Sequence, residues 1–209
     1  MRNNTSINRK PSIYRKPSIY NKSFIDIDND HPSDIFHHLL SERIIVISGE
    51  IDTYICEFAK ASLLYLESQS DEDITMYINS PGGSVYDGLG LVDVMDYIKC
   101  DIVTVNTGLC ASMGAVLLCS GTKGKRKALK RSRTMIHQPI GGGWIQQASD
   151  MIIEAKQIDE LKKELYEIIS EKTGQKYDKV SQDSDRDYWM NAKEAKKYGM
   201  IDEILIKRK

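Results

Sequence analysis

Strand-like and helix-like segments alternate along most of this chain, and that alternation leaves few folds open to it. Arg43-Ile-Ile-Val-Ile-Ser48, Asp73-Ile-Thr-Met-Tyr-Ile-Asn79 and Asp101-Ile-Val-Thr-Val-Asn-Thr107 are rich in β-branched residues and read as buried strands. Thr53 opens a helix to about Ser68, with Ile55, Phe58, Ala59, Leu63 and Leu66 at helical spacing. Val85 opens another to about Lys99. Strands that alternate with helices predict an α/β fold on a parallel sheet. Ligands of such sheets sit beyond the carboxyl ends of the strands.

Three chemistry-bearing features fall on that edge. Ser80-Pro-Gly-Gly-Ser84 follows the second strand. Its Gly-Gly pair is either plain turn chemistry or a backbone N–H donor aimed at a developing oxyanion. Gly108-Leu-Cys-Ala-Ser-Met-Gly114 follows the third strand and leads into the apolar run Ala115-Val-Leu-Leu-Cys119. Ser112 thus stands where a strand gives way to a short buried helix. It is either an N-cap or a nucleophile with the Met113 N–H beside it. Arg133-Thr-Met-Ile136 reads as a further short strand ending at His137. A histidine there is either structural or a base within reach of Ser112.

Composition narrows the function. The chain has 209 residues, 41% hydrophobic, which suits one domain plus a tail and needs no disulfide or metal to hold a core. A net charge of −1 predicts neither a nucleic-acid nor a membrane partner. Cys56, Cys100, Cys110 and Cys119 show no Cys-x-x-Cys spacing, against zinc or a secreted disulfide framework and in favour of a reducing compartment. His37 and His38 are adjacent, point to different faces of the short helix expected over Ile35–Leu40 with Ser33 or Asp34 as cap, and make a poor metal pair. No run approaches the 18 apolar residues of a membrane span, and no signal peptide opens the chain. No metal or cofactor is expected.

The two ends differ from the middle. Residues 1–25 carry Arg2, Arg9, Lys10, Arg15, Lys16 and Lys22 without one acid, and Arg-Lys-Pro-Ser-Ile-Tyr occurs twice, at 9–14 and 15–20. Residues 1–33 read as a basic mobile arm or pro-segment, with a transit peptide the weaker option. Lys123-Gly-Lys-Arg-Lys127 reads as a solvated basic turn. From about Gln146 to Lys172 runs a long helix, its apolar face marked by Met151, Ile152, Ala155, Ile158, Leu161, Leu165 and Ile168, with Gly174 to end it. At 1.5 Å per residue it spans about 40 Å and should project from one small domain. Ala192 to Tyr198 forms a helix capped by Gly199, and Met200 to Ile206 a last strand.

Ser80-Pro-Gly-Gly-Ser-Val85, Ala111-Ser-Met-Gly114, Met135-Ile-His-Gln-Pro139 and Asp185-Arg-Asp187 occur in an order and at intervals that resemble the Clp peptidase family, from about Asp34 to Lys207. The wording of Asp185-Arg-Asp-Tyr-Trp-Met190 is similar to bacterial, Bacteroidetes-type members. The resemblance implies an α/β Clp/crotonase-type fold of repeated ββα units over residues 34–209, with a projecting handle helix at about 140–173. It implies a serine endopeptidase that cuts unfolded, misfolded and regulatory proteins inside a cytoplasmic chamber of two stacked heptameric rings. A separate AAA+ unfoldase of the Clp type would feed it, since this chain has no Gly-x-x-x-x-Gly-Lys-Ser/Thr loop.

Residue by residue, the resemblance makes Ser112 the nucleophile, His137 the base and Asp187 the third member of the triad, with the Gly83 and Met113 N–H groups as oxyanion hole. Asp185 and Arg186 match residues that pair between rings. Leu63, Tyr77, Tyr97 and Leu205 match the unfoldase docking pocket, and each could equally be core. Thr75 stands where an aromatic is usual and Lys127 where an apolar residue is usual. Gly141-Gly-Gly-Trp-Ile-Gln-Gln-Ala148 is one residue longer than the family pattern, with Gln146 for its last glycine. Two rivals remain: a non-catalytic ring subunit, and a crotonase-type acyl-CoA hydratase or isomerase. The first is opposed by the intact triad, the second by its need for catalytic carboxylates in place of a serine.

Overall fold

The computed structural model describes residues 32–141 and 147–207. Five strands form one parallel sheet in the order β1-β2-β3-β4-β7: β1 (Ile44–Ser48), β2 (Ile74–Ser80), β3 (Ile102–Ala111), β4 (Lys127–Leu129) and β7 (Glu203–Leu205). Two more strands branch from β3. Its second half pairs in parallel with β5 (Arg133–Ile136), which pairs antiparallel with β6 (Tyr188–Asn191). The expected α/β class holds, with helices packed on a mostly parallel sheet.

The sheet and three helices enclose the core. α2 (Thr53–Gln69) starts where the Asp52 side chain accepts from the Ile55 amide, an N-cap that satisfies an otherwise orphan donor. α3 (Val85–Tyr97) is capped by Ser84 in the same way. α4 (Met113–Cys119) is buried at all seven positions. Burying each of its aliphatic side chains is worth roughly 1.5–3 kcal/mol. The short helix that follows Ser112 is therefore firmly anchored in the core.

Three expectations about the elements change. α1 (Pro32–Ser41) begins at Pro32, so Ser33 and Asp34 stand inside its first turn and not ahead of it, with proline at the helix start where its missing N–H costs nothing. His37 and His38 are exposed. Phe58, placed on the apolar stripe of α2 by spacing, is 45% exposed, because the buried face runs through Cys56, Ala59, Leu63 and Leu66. The basic turn is only partly solvated: Arg126 is buried, and β4 begins at Lys127. The Arg126 guanidinium donates to both Asp202 oxygens at 2.8 and 2.7 Å and to the carbonyls of Cys119 and Lys172.

The long helix α5 (Ala148–Thr173) has 26 residues and ends at Gly174 in the left-handed conformation. Its C-terminal half joins the core through Leu161, Leu165, Tyr166 and Ile169. Its N-terminal half leaves Met151, Ile152 and Ile153 more than half exposed, so the helix projects as expected. The lengthened stretch before it falls mainly on residues 142–146, outside the described residues; of the basic arm expected over 1–33, residues 1–31 lie outside them too, and Pro32 and Ser33 open α1. α6 (Tyr177–Asp183) and α7 (Ala192–Tyr198) complete the fold, the latter closed by an Asn191–Glu194 capping box and by Gly199.

Candidate active site

Ser112 stands between β3 and α4 with φ 54° and ψ −126°, outside the regions that L-residues favour. Such a conformation costs about 1–3 kcal/mol and persists only where its surroundings enforce it. Here the enforcement is visible. The Ser112 amide donates to the Met135 carbonyl at 2.9 Å, and the Ser112 carbonyl accepts from Ala115 and Val116. The side chain makes no cap hydrogen bond to the helix it precedes. The N-cap reading therefore fails for the hydroxyl, which is half-buried and left for other chemistry.

The Gly82–Gly83 turn is fastened to Ile51, two residues ahead of α2. Ile51 donates to the Gly82 carbonyl and accepts from the Ser84 amide, both at 2.8 Å. The Gly82 amide donates to the buried Ser80 hydroxyl at 3.0 Å. Neither glycine is replaceable. Gly82 has φ +98°, and a Cβ there would lie 2.6 Å from the Ser112 Cβ and 2.8 Å from the Ala111 carbonyl. Gly83 has φ +152°, and a Cβ there would lie 2.1 Å from the Ile51 carbonyl. Among the described residues, no acceptor takes the N–H of Gly83 or of Met113. The Met113 amide, next to Ser112 in the chain, and the Gly83 amide, next to the glycine that packs on Ser112, are thus both unengaged.

His137 follows β5, and β5 is the parallel neighbour of the strand segment that carries Ser112. Asp187 precedes β6. Because Ile136 is paired with Tyr188, one further step of the antiparallel register sets His137 opposite Asp187. His137 Nδ1 and Asp187 Oδ1 are 3.1 Å apart. Two more bonds lock the segments together: the Gln138 amide donates to the Ser184 carbonyl at 2.7 Å, and Gln138 Nε2 donates to the Asp185 carbonyl at 3.0 Å. Assigning the ring proton to Nδ1 makes it the donor to Asp187 and leaves Nε2 as acceptor. Among the described residues no hydrogen bond joins His137 to Ser112, a contact that commonly tightens only with substrate bound.

The remaining sequence candidates are spread over the surface and the core. Asp185 and Arg186 are highly exposed, 3.9 Å apart as neighbouring charges. Tyr97 is 82% and Tyr77 36% exposed, Leu205 is half-buried, and Leu63 is wholly buried in the core, where it presents no surface. Gly82 was not singled out by the sequence, since either glycine of the pair could serve the turn; its contact with Ser112 emerges only when the two loops meet. Among the described residues no group of three or more His, Cys, Asp or Glu side chains is gathered to hold a metal, and no helix is long and apolar enough to cross a membrane.

The family model described as Clp protease matches residues 28–208. A protein from Bacteroides fragilis named ATP-dependent Clp protease proteolytic subunit is 56% identical over 84% of this chain and 84% of its own length. Proteins of the same name from Bacteroides thetaiotaomicron and Porphyromonas gingivalis are 55% and 54% identical over 84% of this chain and 80% and 79% of their own lengths. With a parallel sheet that gathers serine, histidine and paired glycines on one edge, and a family match over nearly all of its folded length, this chain belongs to the Clp protease family.

Proposed function

We propose that the chain is the proteolytic subunit of an ATP-dependent Clp protease, a serine endopeptidase whose triad is Ser112, His137 and Asp187. The observation that carries this reading is the 3.1 Å pairing of His137 with Asp187 beside a strained serine whose hydroxyl caps nothing. His137 Nε2 takes the proton as Ser112 Oγ attacks the scissile carbonyl carbon. The carbonyl oxygen, now negative, accepts from the Gly83 and Met113 amides. Collapse breaks the C–N bond, and His137 returns the proton to the leaving amine. Water then attacks the acyl-serine by the same route, with His137 as base and the Ser112 hydroxyl as leaving group. Asp187 holds the imidazole in one tautomer and balances its charge while it is protonated.

The surroundings support an assembled protease. The exposed Met151, Ile152 and Ile153 on the projecting half of α5 suit a helix-on-helix contact between two stacked heptameric rings. Asp185 and Arg186, exposed next to the triad loop, suit a charge pair across that contact. Exposed Tyr77 and Tyr97, with Leu205, suit the docking of a separate Clp-type AAA+ ATPase that unfolds substrates in the cytoplasm. The test is hydrolysis of a short fluorogenic peptide by wild type and Ser112→Ala, with the native mass of both. Activity lost in the variant, with a fourteen-subunit mass in each, supports the reading. An assembled but inactive wild type would instead favour a scaffolding ring subunit.

A further inference from the structure

β3 changes partner halfway along its length, and one buried side chain sits at the change. Up to Asn106 the strand pairs with β4, Asn106 lying beside Ala128; from Leu109 to Ala111 it pairs with β5. On the other side the register with β2 slips at the same place. Ile78 faces Asn106 but Ser80 faces Cys110, so β3 spends four residues where β2 spends two. Such a bulge re-aims the side chains beyond it. Beyond this one lie Cys110, Ala111 and then Ser112.

Asn106 is fully buried, and its whole amide is engaged. Its Oδ1 accepts from the Gly108 amide at 3.1 Å, inside the bulge. Its Nδ2 donates to the Arg133 carbonyl at 2.9 Å and to the Thr134 hydroxyl at 3.2 Å, at the start of β5. The side chain thus replaces the backbone ladder that the departure of β4 interrupts, and it joins the strand that leads to Ser112 with the strand that leads to His137. Asn79 supports the bulge from the far side by accepting from the Leu109 amide at 3.0 Å, close against Gly108.

We infer that Asn106 is a positioning residue for catalysis, which sets the height of Ser112 against His137 by fixing the β3 bulge to the first residues of β5. The inference rests on the proposed triad. Thr134 is three residues before His137, about 10 Å along a strand. Asn106 therefore acts through the two strands and touches neither substrate nor the reacting atoms. A displacement of about 1 Å at a catalytic pair lowers rates by about 100-fold, so a bond at this pivot has leverage on the site.

The test compares wild type, Asn106→Ala, His137→Ala and the double variant in the assembled particle. Peptide hydrolysis and the rate of fluorophosphonate labelling at Ser112 are both read. Asn106→Ala should lower kcat about 10- to 100-fold with KM within about twofold, and lower labelling in the same ratio. In the His137→Ala background it should change labelling little, because the relation it maintains no longer operates. A wild-type kcat in assembled Asn106→Ala, or an equal further loss in the His137→Ala background, overturns the inference. Where Asn106→Ala does not assemble, Thr134→Val carries the comparison: it keeps the shape, removes one acceptor, and should lower kcat about two- to tenfold. An unchanged kcat there overturns it equally. Failure of the triad reading has a separate signature, since wild type and Ser112→Ala would then label alike.

Discussion

The Ser112 amide donates to the carbonyl of Met135 at 2.9 Å, and His137 lies two residues beyond that carbonyl. One backbone bond therefore carries the proposed nucleophile and the proposed base on the same piece of sheet. The strained serine, the glycine turn and the histidine are consequences of how β2, β3 and β5 end together.

Gly82 packs directly against Ser112. Its backbone has φ +98°, and an added methyl would meet both Ser112 and Ala111 within 3 Å. Gly82→Ala should lower kcat by about 100-fold or more, since the serine must shift to make room. Steady-state kinetics beside a thermal melt checks this; a wild-type kcat in the folded variant would contradict it.

In the proposed triad, Asp187 sets the histidine tautomer. Asp187→Asn keeps the shape but presents an amide in place of the carboxylate that accepts from Nδ1. The expected fall in kcat is about 10⁴-fold with an unaltered assembly. A loss under tenfold would mean that the 3.1 Å contact has no catalytic role.

The thiols should be silent. Cys56, Cys100, Cys110 and Cys119 are all buried and unpaired. Burial pushes the Cys56 thiol up to about 11 and the Cys119 thiol up to about 12, and raises Cys110, two residues from Ser112, well above the ordinary range. Native protein held with iodoacetamide at pH 8 should keep full peptidase activity and incorporate little label by mass. Rapid loss of activity would point to thiol chemistry at this edge.

Arg126 and Asp202 should make stability acid-sensitive. Burial alone would raise the Asp202 carboxyl, but the Arg126 guanidinium and the amides of Arg126 and Gly124 outweigh it and hold the group below its ordinary value. The depressed pKa means that this contribution is complete above the unfolded-state carboxylate range near pH 4, and is lost as the pH falls through the lower folded value. Asp202→Asn should flatten that acid limb of a stability-against-pH curve. Arg126→Met should destabilise by about 2–3 kcal/mol, because the Asp202 carboxylate keeps only the amides of residues 124 and 126 as donors. Denaturant melts across pH check both.

Much of this was legible in the residues. Ser112, His137 and the glycine pair each follow a recognisable strand, so a parallel sheet alone brings them to one edge. Asp187 was not legible that way. It precedes the four-residue strand β6, which is too short to show a period, and only the β5–β6 pairing sets it opposite His137. The family resemblance supplied it instead. Arg126 was hidden in a basic run whose other members are more exposed, because sequence does not reveal that Asp202, 76 residues on, waits as its partner. Asn106 was equally hidden, inside a β-branched strand whose change of partner no local pattern announces.

The most direct measurement is reaction of the native protein with a fluorophosphonate, with the modified residue located by peptide mass. A single label is expected, on Ser112, absent from Ser112→Ala and formed far more slowly in His137→Ala. Label on another residue, or equal labelling of wild type and Ser112→Ala, would contradict the assignment of Ser112 as nucleophile.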